Sequence, residues 1–392
     1  MLRRPPVEDA ASAVKITQIS VQSFRNLEDA SYSFGDVVNV LLGANGAGKT
    51  SLLEALVILG NLRSFRTANL RKVVRHGENV FRLSGTIKGS QRTHRLEQIV
   101  EVGPPLSRTL RIDGAVVSVE KYLQLVPIFA ITSHDRELVT GAPDGRRAFL
   151  DRFAFLQRPQ YLEELRGYRR LLRQRNAALT GRGSEEEIDA WENPLAAAAA
   201  RVVEARHAGA GQLAALFADM WKDLSSRGTP AVTIEYRIEP WIEAFEEVEK
   251  VEESYRRRYN ETRTRDRQMG FTVDGPHRHD LSLKTDGRSV RHVLSTGQIK
   301  GVAAALRLAS LTRVERERNE HLPLIVDDVD AELDGGALTL LVQRLGKQRQ
   351  LFLSSTNEHV AELAGPQGCR IWLENGSCVF RENLRDDRSI HR

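Results

Sequence analysis

Cysteine is almost missing from this chain: Cys369 and Cys378 are the only two in 392 residues. Two are too few for a disulfide framework and are not spaced as a zinc pair, so a reducing compartment fits and a thiolate metal site does not. Long apolar runs are missing too. No window approaches eighteen consecutive apolar residues, and the N-terminal MLRRPPVEDAASAV has basic residues without an apolar core. These absences argue against a spanning helix and a secretory leader, and the expectation is a cytosolic protein with no membrane partner. No internal repeat, low-complexity tract or long heptad series is found. A chain with long coiled-coil arms is therefore disfavoured.

What is present is an ordinary globular composition, 41% hydrophobic and 28% charged, ample for a large core or for two to three smaller units. The net charge of +5 and pI near 9.3 are a mild indication of an anionic partner. VKITQISVQSF (14–24) and VVNVLL (37–42) have strand character, and TSLLEALVILG (50–60) reads as a helix with Gly60 as its C-cap. RLSGTI, RLEQIVEV and RTLRIDGAVVSV, with turns at Lys88-Gly89 and Asp113-Gly114, read as a small antiparallel sheet. Residues 146–226 are helical in pattern, interrupted by a loop at TGRGSEEE (180–187). AVTIEYRI (231–238) is strand-like, and Trp241, Phe245, Val248, Tyr255 and Tyr259 recur at helical intervals toward Met269. The expected architecture is an α/β head split in sequence, residues 1–142 and 269–392, with a helical lobe inserted at 143–268.

GANGAGKT (43–50) fits G-x-x-x-x-G-K-[ST] between a strand and a helix, the context a phosphate loop requires. The amides of Gly43, Asn45, Gly46, Gly48 and Ser51 belong to a nucleotide cradle at a helix N-terminus. Lys49 would reach the β- and γ-phosphates, and Thr50 would place its hydroxyl on Mg²⁺. In LPLIVDDVDAELD (322–334) an apolar strand ends in paired carboxylates. There Asp327 would hold the metal through water and Asp328 would orient or polarise the attacking water. A buried strand followed by an acidic turn is also common without that role.

LSTGQIKG (294–301) is a second glycine turn opening a helix-like segment. By itself S-x-G-Q is an ordinary helix cap. In a chain that already has a complete cradle, the serine hydroxyl, glycine backbone and helix N-terminus are useful if they close over the nucleotide of a second copy. Ser295, Gly297 and Gln298 would then act in trans in an ATP-dependent homodimer.

The order phosphate loop, S-x-G-Q, D-D and AELD resembles the ABC-type ATPase heads of the SMC and RecF group. SFRNL (23–27), RSFR (63–66), GAPDGRRAFLD (141–151), YRRLLRQRNAAL (168–179) and GPHRHDL (275–281) extend the likeness to the RecF family over about residues 14–360. The resemblance implies a mixed sheet with the phosphate loop, a small antiparallel sheet and an inserted helical lobe. It implies a recombination mediator that binds DNA with ATP and Mg²⁺ and helps RecA load at single-strand gaps with RecO and RecR. Slow hydrolysis would release the DNA. By the same likeness Asp334 is the D-loop residue, and His134 or Asp135 stands at the glutamine loop. The sequence departs from the family pattern in Ile299 and Lys300 after S-x-G-Q, and in Thr356 where ABC heads place a switch histidine, with His359 three residues on. Residues 1–14 extend beyond the family start and read as a disordered tail.

Arginine is dense at 146, 147, 152, 158, 166, 169, 170, 173 and 175, against Asp151, Glu163 and Glu164, and again in RRRYNETRTR (256–265). A solvated helix face and a phosphate-binding face both produce such runs. No aromatic ladder is interleaved, so if DNA is bound, duplex or gapped-junction backbone contacted by Arg169, Arg170 and Arg173 is the better expectation. A DNA-binding scaffold with vestigial hydrolysis is the alternative reading.

Overall fold

A computed structural model describes residues 12–89, 91–181, 183–225, 228–242, 247–332, 335–365 and 367–383. The chain forms two compact units, residues 1–135 with 315–392, and residues 136–314. No helix among the described residues is long and apolar enough to cross a membrane.

The first unit is built on two six-stranded sheets. One runs in the order Ser377–Asn383, Cys369–Glu374, Val38–Leu42, Leu351–Ser354, Leu324–Val326, Phe129–Ile131, parallel except for its first pair. Val38–Leu42, Leu351–Ser354 and Leu324–Val326 are buried at every residue, as strands covered on both faces must be. Helix α1, Lys49–Asn61, follows the first of these. The second sheet is antiparallel: Ala30–Ser33, Lys15–Gln22, Val80–Lys88, Thr93–Glu101, Ser107–Ile112, Ala115–Val116. Its last hairpin turns on Asp113 (φ 52°) and Gly114 (φ 83°), the two left-handed residues that match strand twist in a tight turn.

Gly60 does not cap α1. It lies inside the helix, where a Cβ would sit 2.6 Å from Ile128 Cγ1, and the left-handed cap is Leu62 (φ 59°), whose amide reaches Ile58 O. Nor is residue 14 part of a tail. Ser12–Ala13 pairs in parallel with Glu320–His321, and Val14 is buried with its amide 2.8 Å from His321 O. Residues 1–11 of that expected tail lie outside the described residues.

The second unit contains helices α2 (Pro143–Gln157), α3 (Tyr161–Thr180), α4 (Glu185–Leu224) and α5 (Val248–Met269). The break between α3 and α4 is shorter than the sequence suggests, since Ser184 caps α4 by accepting the Glu187 amide. Trp241 precedes α5 and packs edge-on against Tyr255 at 5.1 Å, while Phe245 lies outside the described residues. This unit continues beyond residue 268 because Asp280–Thr285 pairs antiparallel with Thr233–Arg237. Helix α6, Thr296–Arg318, begins within it.

Glu315 and Arg349, both in the first unit, meet at 3.1 Å, and the Glu315 carboxylate also accepts the Leu322 amide at 2.8 Å. Burial nevertheless pushes the Glu315 carboxyl up to about 7, against the lowering pull of Arg349. The folded value lies above the ordinary 4.5, so the protonated form contributes stability that is complete below about 4.5 and is lost as pH rises through 7. Urea denaturation between pH 5 and 7.5 should show stability falling as pH rises, and Glu315→Gln should flatten that slope.

Candidate nucleotide cleft and signature turn

The strand Val38–Leu42 delivers the chain into the glycine loop at the edge of a cleft of about 680 Å³. Two glycines are obligatory there for geometric reasons. Gly43 has φ 141°, and a Cβ would lie 2.2 Å from Leu373 O; Gly48 has φ 109°, and a Cβ would lie 2.9 Å from Leu27 Cδ2. Gly48 also starts α1, whose N-terminus has no side-chain cap and no acidic residue in its first turn. An uncapped helix start presents amide hydrogens and a positive dipole end, so it fits an anion and specifically a phosphate.

Lys49, Thr50, Asp327 and Asp328 line this same cleft. Lys49 Nζ donates to Gly43 O at 2.6 Å and Ala44 O at 3.0 Å. Burial lowers its pKa, opposed chiefly by Asp328, then by Asp327 and Asp330. Thr50 Oγ1 donates to Asp327 Oδ1 at 3.0 Å, across 277 residues of sequence. Ser354 Oγ donates to that same oxygen at 2.7 Å and accepts the Asp328 amide at 2.7 Å. Asp327 is buried and its pKa is raised by desolvation, whereas Asp328 is exposed, on a left-handed backbone at φ 54°. A hydroxyl and a carboxylate side by side offer hard oxygen donors. They suit Mg²⁺, which takes one or two protein ligands and completes its shell with water and phosphate. No group of three or more His, Cys, Asp or Glu that would cage a metal occurs among the described residues.

Several supporting residues have no role assigned from the sequence. Asn26 Nδ2 donates to Gly46 O at 2.9 Å, and Ser51 Oγ donates to Asn26 Oδ1 at 2.7 Å, so SFRNL props the loop from outside. Next to it, Arg25 grips the buried Glu54 carboxylate in a two-pronged contact at 2.9 and 2.8 Å; Ser64 Oγ donates to the same group, and Arg66 lies 3.4 Å away. Glu54 on the buried side of α1 was the legible signal: a carboxylate inside an otherwise apolar helix needs cationic partners. Ser354 is missed by any reading of the loop alone, because its role arises from the strand lying between the two motifs.

His134 lines the cleft, edge-on to Phe65. Asp135 instead turns its carboxylate to its own backbone and accepts the Thr132 amide at 2.8 Å. Thr356 lines the cleft, while His359 pairs with Glu362 at 2.7 Å on the surface. Asp334 lies outside the described residues.

In the second unit, Ser295, Gly297 and Gln298 form the start of α6. Ser295 Oγ accepts the Gln298 amide at 3.3 Å and Gln298 Oε1 accepts the Ser295 amide at 2.9 Å, a reciprocal cap. Ser295 and Gly297 are exposed, and a Cβ on Gly297 would meet nothing within 4 Å. The cap uses the hydroxyl as acceptor and leaves its donor capacity for an incoming oxygen.

The arginine run divides. Arg175 is wholly buried, donating to Asp266 at 2.7 Å, Thr272 Oγ1 at 2.8 Å and Glu192 at 2.9 Å, and joins α3, α4 and α5. Arg146 is held bidentately by Asp280 at 2.7 and 2.9 Å, and Arg158 bridges Glu164 and Glu204. Those three are cross-braces, not a contact face. Arg169, Arg170 and Arg173 are exposed on α3 around one shallow depression, with Arg169 lying 3.3 Å from Asp151.

Replacing Glu54 by Ala removes the tie between SFRNL and α1. Thermal unfolding without nucleotide should show the first unit destabilised, by less than the roughly 3–5 kcal/mol of breaking a fully buried ion pair, because Arg25 keeps Lys72 O and both arginines are partly exposed.

The family model for the RecF/RecN/SMC N-terminal domain matches residues 15–377. A DNA replication and repair protein RecF from Anaeromyxobacter sp. (strain Fw109-5) is 35% identical over 370 residues, covering 93% of this chain and 98% of the relative. A RecF from Escherichia coli O6:K15:H31 is 33% identical over 367 residues, covering 93% and 99%. Among solved structures, the recombination mediator protein RecF with ATP, of the RecFOR pathway, superposes with a TM-score of 0.85 at 24% identity over 96% of this chain and 99% of that one. An Smc head bound to the C-terminal winged-helix domain of ScpA superposes at 0.55 with 12% identity, so the fold is that of an ABC-type ATPase head. With the family model matching nearly the whole chain, and a third of its residues identical to RecF relatives over almost their entire length, the chain belongs to the RecF family.

Proposed function

We propose that this chain is an ATP-dependent DNA-binding protein of recombinational repair, a role consistent with relatives named for DNA replication and repair. The observation that carries the reading is the meeting of Lys49, Thr50, Asp327 and Asp328 in one cleft beside an uncapped helix start. In that cleft Lys49 would exchange its two carbonyl partners for phosphate oxygens, and Gly43, Asn45, Gly46, Gly48, Lys49, Thr50 and Ser51 would hold the nucleotide. Thr50 and Asp327 would hold Mg²⁺, which when bound polarises phosphate oxygens as a Lewis acid. Asp328, exposed and with its amide fixed on Ser354, would orient or polarise the attacking water.

Ser295, Gly297 and Gln298 of one copy would face the nucleotide of a second, so that ATP would drive homodimer formation. Thr356 brings no imidazole to the cleft and His359 is engaged with Glu362, which supports slow turnover, a switch more than a motor. Arg169, Arg170 and Arg173 would contact the backbone of duplex or gapped DNA. With RecO and RecR as partners, the DNA-bound dimer would help RecA load at single-strand gaps, and hydrolysis would release it.

Sedimentation velocity with and without ATP tests the assembly. The parent should dimerise only with ATP, Lys49→Met should lose ATP binding and dimerisation together, and Ser295→Arg should keep ATP binding while staying monomeric. Dimerisation of Ser295→Arg would overturn the shared site.

A salt series tests the DNA surface. Changing Arg169, Arg170 and Arg173 to Ala should weaken binding without strong sequence dependence. On duplex DNA it should also flatten log affinity against log salt by about 0.9 for each phosphate that the protein ceases to neutralise, while sparing ATP-driven dimerisation. Parent-like binding across the series would make these arginines a solvated face only.

A further inference from the structure

Helix α6 carries the signature turn on its first residues, and three of its contacts with the rest of the second unit bear on where it sits. Arg313 Nε donates to Gln212 Oε1 at 3.2 Å, and the Arg307 guanidinium lies over the Phe149 ring at 5.3 Å. The third contact is nearest the turn. Gly301, six residues after Ser295, lies against Trp221 near the end of α4, and a Cβ there would stand 3.0 Å from Trp221 Cζ3 and 3.7 Å from Cη2. Glycine inside a helix is unfavourable, because it has more backbone freedom to lose than alanine, so its presence here needs a reason. The indole supplies one: an added Cβ would press on the ring edge more tightly than ordinary contact, so one of the two would have to give by a few tenths of an ångström.

Trp221 is poorly placed to give way. It is buried, and its Nε1 donates to Pro230 O at 3.0 Å, which fixes the ring plane against the segment leading into Thr233–Arg237. A side chain at 301 would therefore be relieved by movement of α6, whose first turn holds Ser295, Gly297 and Gln298 less than two helical turns away. The reciprocal Ser295–Gln298 cap makes the turn and the helix start one piece, so a shift at Gly301 is carried to the serine hydroxyl.

We propose that Gly301 and Trp221 are positioning residues for the signature turn, setting where α6 seats on α4 and hence where Ser295 meets the partner's nucleotide. The inference rests on the reading of Ser295, Gly297 and Gln298 as a site acting in trans.

Alanine is the preferred helix residue, so Gly301→Ala would leave ATP-driven assembly unharmed if the glycine had no spacing role. With the spacing role, sedimentation velocity should show ATP-dependent dimerisation weakened about tenfold, while the variant stays folded and the ATP affinity of the monomer stays at the parent value. Adding Trp221→Phe to the same chain makes room and should restore dimerisation to within about twofold. Trp221→Leu serves as a second relief variant should the first fold poorly. Parent-like dimerisation of Gly301→Ala would overturn the proposal, as would a defect that neither relief variant restores. Ser295→Arg separates the two levels. If it dimerises normally with ATP, the trans reading fails and this inference with it; if it is monomeric while Gly301→Ala behaves as the parent, only the spacing role is overturned.

Discussion

The cleft of the first unit depends on one carboxylate oxygen. Asp327 Oδ1 receives the hydroxyl of Thr50, from the helix after the glycine loop, and that of Ser354, from the end of the strand between. Three neighbouring parallel strands thus end on a common point, the C-terminal edge where open α/β sheets place their ligands. The cost is a buried acid whose pKa is raised by desolvation. Two hydroxyl donors reduce that cost, and a cation held there would reduce it further.

The second unit solves a different problem. Its helices carry many charges, and several lie inside. Arg175 with Asp266, Glu192 and Thr272 ties α3 to α4, α5 and the segment after it, and Arg206 with Asp151 ties α4 to α2. Charges so deeply buried are tolerable only when every partner is in place, which makes them a device for holding helices in one register more than a source of net stability. The histidines of GPHRHDL belong to the same interior. His277 meets Tyr168 Oη at 2.6 Å and its pKa falls to about 4, chiefly from burial, while His279 contacts Tyr236, Tyr255 and Glu239. That stretch is a polar core, and the exposed arginines of α3 lie outside it.

Much of this was legible beforehand because it is local. A glycine loop between a buried strand and a helix, an apolar strand ending in two aspartates, and a serine with a glutamine three residues later are all short patterns set by backbone geometry. Each stands in the structure where its spacing put it. Period-two and helical patterns likewise marked the strands Val80–Lys88 and Thr93–Glu101 and the helices α2 to α4. What misled were signals with two physical causes. Gly60 looks like a helix end but is a site of close packing against Ile128, and Arg175 looks like Arg173 although one is buried and the other exposed.

The sequence by itself determined the kind of fold and the chemical groups at its loops, because phosphate-loop geometry, strand burial and helix capping are each encoded within a dozen residues. Tertiary structure alone decided which distant groups meet. The strand order put Ser354 between Thr50 and Asp327; the pairing of Thr233–Arg237 with Asp280–Thr285 carried residues beyond 268 into the second unit; and the packing of Trp221 gave Gly301 its reason. The physical ground is the same in all three: side-chain spacing along the chain specifies a face, but which face it meets depends on shape and burial summed over the whole core.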